Sequence, residues 1–269
     1  MLAVVLAALL GVQDPEPRPP DPATPPAAPV SPEAPATQPV EDWDDARVKD
    51  ELKAFNERIK SRALKDRIAA VERLAVGRNA KLVPPLANTV ARDPALTVRK
   101  TAALGLAHQP PREAKPAVVR LLGGDLDAVP EVQAVLVTTL SRVGYEKKRD
   151  WEPIKNLFER DYGENRLALQ RAILALIEEH QELEAIDMLV RNLGEPVPEN
   201  VDDASNPPAE YWERRWKAWQ SWRADVKEAL LAVTGQQFST PKEAKDWLRE
   251  NRAKLERRKQ DKPAKPVKK

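Results

Sequence analysis

The sequence predicts an all-α protein, an α-solenoid of about four stacked helical hairpins with one helix before them and a two-helix cap after them. Three observations carry this. Ala, Leu, Glu, Lys and Arg dominate, whereas aromatics are 5% of residues and strand-forming runs of Val, Ile, Thr and Tyr are missing. From Trp43 onward, apolar residues recur at three- and four-residue intervals. The helical segments so defined align with one another at a repeating interval.

The chain opens differently. Leu2 to Val12 is an unbroken apolar run of 11 residues. A bilayer span needs about 20 residues, so this run is too short to cross and has the length of a signal-peptide core. Residues 1–13 therefore read as signal-peptide-like, and the protein as exported, periplasmic or extracellular. No Lys or Arg precedes the run, which keeps a cytoplasmic alternative open. There is no Cys, which removes disulfides, thiolate metal sites, Cys nucleophiles and a lipidated N-terminus together. Residues 14–42 hold 11 of the 26 prolines and no periodic apolar positions. This is the composition of a disordered, stiff linker, reaching roughly 90 Å at full polyproline-II extension.

In 43–194 the helices begin. Val48, Leu52, Phe55 and Ile59 mark one face of a first helix. Four segments then align without internal gaps, starting at Asp66, Val98, Val132 and Ala168, at spacings of 32, 34 and 36 residues. Each carries a small or branched pair (Ala70-Val71, Ala102-Ala103, Leu136-Val137, Ala172-Ile173) and then a Leu (Leu74, Leu106, Leu140, Leu176). A second helix follows each, over 83–93, 115–125, 151–161 and 184–193. Pro84 and Pro116 are placed in first turns, where a missing N–H costs nothing.

The run Asp93-Pro94-Ala95-Leu96-Thr97-Val98-Arg99-Lys100-Thr101-Ala102-Ala103, with the Val83-Pro84-Pro85-Leu86 start of the preceding helix, resembles the HEAT-repeat pattern. The resemblance covers about 66–194 and looks like a divergent, bacterial-type HEAT-repeat domain. It implies an armadillo-type α-solenoid and protein binding. It also implies a ladder in which a turn Asp and a helix Arg tie neighbouring repeats. Asp93 and Arg99 supply that pair, whereas Gln133 and Leu169 replace the Arg in repeats three and four.

Residues 195–208 form an acidic, proline-rich connector. A Trp-rich helical cap over 209–258 follows, as one long helix to Thr234, closed by Gly235, and a last helix opened by the capping box Thr240-Pro241-Lys242-Glu243. Residues 259–269 form a basic disordered tail. From Arg249 on there are ten Lys or Arg against three acids.

Four of the seven Trp fall within eleven residues, at 212, 216, 219 and 222. Helical phase puts Trp212, Trp219, Val226 and Leu230 mid-stripe and Trp222 and Tyr211 toward an edge. Trp222 is thus the expected exposed indole, and Trp222 and Tyr211 are candidate partner-binding residues. Arg120, Lys155 and Arg160, on second helices, are candidates along the groove of a solenoid. His108 and His180 are 72 residues apart, at helix ends. Asp202-Asp203 lacks calcium-loop spacing, and no P-loop, nucleophile elbow or HExxH occurs. The expectation is a non-catalytic scaffold, not an enzyme, with no cofactor, metal or small-molecule substrate. Its partner is an unidentified protein; nucleic acid is not expected, at a net charge of +2. One rival is an envelope-associated structural protein held by basic tail and proline-rich stalk. Another is a cytoplasmic HEAT-like accessory or nucleic-acid-binding protein.

Overall fold

The computed structural model describes residues 40–124, 129–198, 200 and 203–261, with side chains to 257. The chain divides into two units, Met1–Gln38 and Pro39–Lys269, and the architecture below is the second's. The signal-like segment, the proline-rich stretch through residue 39 and the tail from 262 lie outside the described residues.

Among its described residues the unit is all-α apart from one two-residue strand pair. Strand β1 (Glu41–Asp42) runs parallel to β2 (Gly77–Arg78). Next to it Trp43, 4% exposed, lies on Gly77, where a Cβ would stand 2.3 Å from the indole. The guanidinium groups of Arg47 and Arg73 sit 4.7 and 5.5 Å from that ring. The Asn79 amide donates to the Trp43 carbonyl at 2.9 Å. Helix α1 (Asp45–Arg58) follows, capped by the Asp44 carboxylate, with Val48 and Phe55 buried.

The aligned segments form helices α2 (Leu64–Val76), α4 (Leu96–Leu106), α6 (Pro130–Gly144) and α8 (Leu167–His180). Between them lie α3 (Val83–Arg92), α5 (Pro111–Leu122) and α7 (Glu152–Lys155); α9 (Ile186–Arg191), α10 (Ala209–Thr234) and α11 (Pro241–Asp261) complete the chain. Packing follows chain order in alternation. α2 packs on α4, α4 on α6, α6 on α8 and α8 on α10. α3 packs on α5 and α5 on α7, while α9 packs on both α10 and α11. The repeated positions are the ones buried: Ala70, Val71 and Leu74; Ala102, Ala103 and Leu106; Leu136, Val137 and Leu140; Ile173 and Leu176. Each buried Leu or Ile stabilises its layer by about 1.5–3 kcal/mol.

Side-chain hydrogen bonds to the neighbouring layer accompany this packing. Beyond α4, the Gln109 amide donates to the Gly77 carbonyl at the end of α2, at 2.8 Å. Thr139 Oγ1 on α6 donates to the Ala103 carbonyl on α4 at 3.0 Å. Trp222 Nε1 on α10 donates to Gln170 Oε1 on α8 at 3.1 Å. Gly105 lets α4 approach α2, since a Cβ there would be 2.9 Å from that of Ala75.

Two expectations are corrected, and one feature was not foreseen. Pro116 is not in a first turn, because α5 begins at Pro111 and places Pro116 in the helix interior. The helix expected over 151–161 is the four-residue α7 followed by turns. There the carbonyls of Leu157 and Phe158 accept from Arg166 Nη2 and Gln170 Nε2, so side chains replace a helical ladder. And no sequence signal announced β1, a strand too short for any alternation to show.

Candidate functional site

Two surfaces and one polar cluster hold the residues singled out above. The first surface is α10. Its buried face is Ala218, Trp222, Val226, Ala229, Leu230 and Val233. Trp222 is therefore not the exposed indole. It is 0% exposed and meets Phe158 edge-on at 5.0 Å. Two buried alanines, Ala218 and Ala229, belong to this face, which is rotated away from the phase that the indoles alone suggested. The exposed indole is Trp216, at 39%, and its Nε1 donates to Glu195 Oε1 at 2.7 Å. Trp212 Nε1 donates to the Pro207 carbonyl at 3.2 Å. Both ends of the connector are thus pinned to the indole edge of α10. Tyr211 is half-buried, stacked edge-on with Tyr162 at 5.8 Å and with Trp212 at 5.3 Å. Arg215 lies over Tyr162 and Trp212, and Arg223 over Trp219. Burial raises the Tyr162 phenol pKa above its ordinary value, more than the nearby Arg215 charge lowers it.

The second surface carries the cations. Arg120 on α5 is exposed. Lys155 on α7 is exposed and pairs with Glu152 at 2.5 Å. Arg160 is exposed in the turns beyond α7. Since α5 packs on α7, the fold brings two consecutive layers bearing these three residues together. It places Trp222 and Tyr211 elsewhere, on α10.

The Asp–Arg ladder differs from its expected form. Asp93 is held by Arg67, at 3.0 Å from Nε and 3.3 Å from Nη2, and not by Arg99. Arg99 Nε instead donates to the Val90 carbonyl at 2.6 Å. Arg67 occupies the same aligned position as Arg99, one repeat earlier, and that alignment was the signal available to find it. In repeat three Gln133 is fully buried, and its side-chain amide makes no hydrogen bond among the described residues. In repeat four Leu169 is core, and its neighbour Gln170 takes the polar role.

Sequence reasoning missed the polar cluster joining α6 to the end of α8. Ser141 Oγ lies 2.6 Å from Glu179 Oε2 and 2.6 Å from His180 Nε2. Tyr145 stacks on His180 at 4.9 Å and donates to Glu182 Oε2 at 2.7 Å. Burial lowers the His180 pKa, against the raising effect of Glu179. Ser, His and Glu adjoin here, but Glu179 approaches the same Nε2 that faces Ser141, at 4.0 Å. A nucleophile–base relay needs its carboxylate on the opposite ring nitrogen, so this geometry does not orient His180 as a base. His108 Nδ1 meets the Ala75 carbonyl at 3.2 Å, an inter-helix contact. Asp203 Oδ1 accepts from the backbone and hydroxyl of Ser205, a local turn, and these bonds lower its pKa. Among the described residues no group of three or more His, Asp or Glu is placed to hold a metal ion, and no helix is long and apolar enough to cross a membrane.

Comparisons of the chain with protein-family models, with curated proteins and with solved structures give no match.

Proposed function

We propose that this chain is a HEAT-like α-solenoid that serves as a non-catalytic protein–protein interaction scaffold outside the cytoplasm. The observation that carries the reading is the alternating order of packing: α2, α4, α6, α8 and α10 each meet the next, and α3, α5 and α7 do the same. In such a stack each layer is stabilised by its neighbours alone, so exposed positions on the second helices vary without cost to the core. Arg120, Lys155 and Arg160 are exposed positions of that kind. The Arg67–Asp93 pair supports the family reading, because it ties α2 to the turn between α3 and α4 through the residue types that the HEAT pattern uses.

The test places a photo-crosslinking residue at Arg120, Lys155 and Arg160 in turn, in the full chain in its native host. The expected result is one protein crosslinked from these positions and retained at about 0.5 M salt, where exposed charge pairs are screened. The mature N-terminus is read in the same preparation. Crosslinks from none of the three refute the scaffold face. Salt-sensitive retention on the cell envelope, lost on deletion of 259–269, supports the envelope-structural role instead. An unprocessed N-terminus refutes export.

A further inference from the structure

We propose that the groove along α1 docks an acidic, amphipathic helix of a partner protein. The groove encloses about 720 Å³ between α1 and the turn at Lys81. It is a different surface from Arg120, Lys155 and Arg160, and it does not depend on their being a scaffold face.

The two sides of α1 are treated differently. On one side the charges around Trp43 are engaged: Arg47 pairs with Glu41 at 2.6 Å, Glu51 pairs with Arg73, and both guanidiniums lie over Trp43. On the other side Lys49, Lys53 and Lys60 line the groove, and among the described residues none has an ion pair. Glu57 stands four residues after Lys53 and three before Lys60, the spacing at which helix pairs form, yet pairs with neither. Lys81 faces α1 across the groove and closes one end through Asp45 at 2.7 Å. The lining therefore carries four cations against two carboxylates, Asp45 and Glu57.

The floor fixes the kind of ligand. Val48 is buried, and Leu52 is half-buried and lines the groove. Apolar floor and cationic rim together ask for a ligand with apolar anchors and carboxylates beside them. Lys49 and Lys53 stand one turn apart on α1 and Lys60 lies in the turn just beyond its end; at helical rise the row is about 16 Å long, so one partner helix lying alongside meets all three ammonium groups. The floor lies beneath the rim. A flat anionic membrane would reach the lysines and leave Leu52 untouched, whereas an inserted helix uses both.

The experiment uses the full-length chain and a fluorescein-labelled synthetic helix of about 18 residues, long enough to span the row. It has Leu at helical-face spacing and Glu beside it; a shuffled peptide of the same composition and phosphatidylglycerol vesicles are the controls. Anisotropy is expected to show saturable binding of the ordered peptide that weakens as salt rises. Combined Lys49→Glu, Lys53→Glu and Lys60→Glu should weaken it about tenfold or more, with the helical circular dichroism unchanged. Leu52→Asn should weaken peptide binding and leave vesicle binding alone. Reversal of Lys245, Arg249 and Arg252 on α11 should leave peptide binding intact. Should the charge-reversed α1 misfold, the Lys→Gln triple variant serves in its place. Equal binding of the shuffled peptide, no saturation, or loss on the α11 reversal and not on the α1 reversal overturns the proposal. So does vesicle binding that needs the lysines while the peptide fails to bind, which would make the row a membrane contact.

Discussion

Truncating Trp222 to Ala should be among the most damaging single changes available in the unit. The indole is 0% exposed, set between α8 and α10 and edge-on to Phe158. Removing a buried Trp costs about 3–5 kcal/mol through lost transfer energy and the cavity left behind. A second cost follows, since Gln170 Oε1 loses its donor inside the core while its amide stays tied to the Phe158 carbonyl. An unsatisfied buried acceptor adds about 1–3 kcal/mol. The sum, roughly 4–8 kcal/mol, corresponds to a fall in Tm on the order of 10–30 °C for a unit of this size. Trp216→Ala removes an indole that is 39% exposed, and one bond to the exposed Glu195. It should stay within about 1 kcal/mol. The assay is urea unfolding followed by helical circular dichroism, with midpoint and slope fitted separately because stacked layers need not unfold as one. A Trp222→Ala midpoint no lower than that of Trp216→Ala would refute the placement of α10 and with it the fifth layer.

Three further outcomes are expected. Gly77→Ala must displace Trp43, since its new Cβ would lie 2.3 Å from the ring; the check is a red-shifted Trp emission, with stability lower by about 1–3 kcal/mol from overpacking. Asp93→Ala leaves Arg67, whose side chain is 12% exposed, without its counter-ion, and should cost about 3 kcal/mol in the same urea assay; Asp93→Asn should cost less because the Ala95 N–H keeps an acceptor. His180 makes stability pH-dependent in a known direction: its folded pKa lies below the ordinary value, so the unfolded chain takes the proton first. Its contribution is complete above about pH 7, falls as pH drops through about 6.5, and levels off below the folded pKa. The carboxylates held low by ion pairs, Glu51 and Glu146, lose theirs only below about pH 4.5. Tm should therefore decline between pH 7.5 and 5.5 in the natural chain and stay flat over that range in His180→Gln.

What was legible in the sequence is what repeats. The small-branched pairs and following Leu residues of α2, α4, α6 and α8 are almost all buried, because helical periodicity records burial directly. The Gly235 cap was legible too: it ends α10 at φ +74°, where a side chain is strained. Features that depend on a second segment were not. Nothing near Trp43 reveals that Gly77 lies beneath it. The phase of α10 was misjudged because four indoles outweighed two alanines in the stripe, although close helix approach is set by the small residues. α7 stops early because Arg166 and Gln170, both later in the chain, take the carbonyls that a longer helix would have used. The Asp93 partner was assigned to Arg99 on the helix that follows, whereas in the fold it is Arg67 on α2.

Those misreadings bear on what the Trp-rich end is. The sequence suggested a lid over an open end, unlike the repeats. In the fold α10 packs on α8 as α8 packs on α6, and α11 packs on α9. α10 thus packs as the helices α4, α6 and α8 do, and its difference in sequence has a physical cause. A middle layer buries both sides of its first helix, so α6 and α8 bury a larger share of their residues than α10 does. Among the described residues, α10 packs on α8 on one side and has no such helix on the other. Glu213, Arg214, Lys217, Gln220, Ala224 and Lys227 accordingly face away and are exposed. With half its circumference polar, α10 must draw its packing from fewer positions, and large indoles do this where Ala and Leu suffice in the middle. Trp222 reaches into the α8 interface, while Trp212 and Trp216 extend sideways to hold the connector ends. The cluster that looked most like a binding platform is, at its centre, what a terminal layer needs in order to stay attached; only its Trp216 edge is left for other contacts.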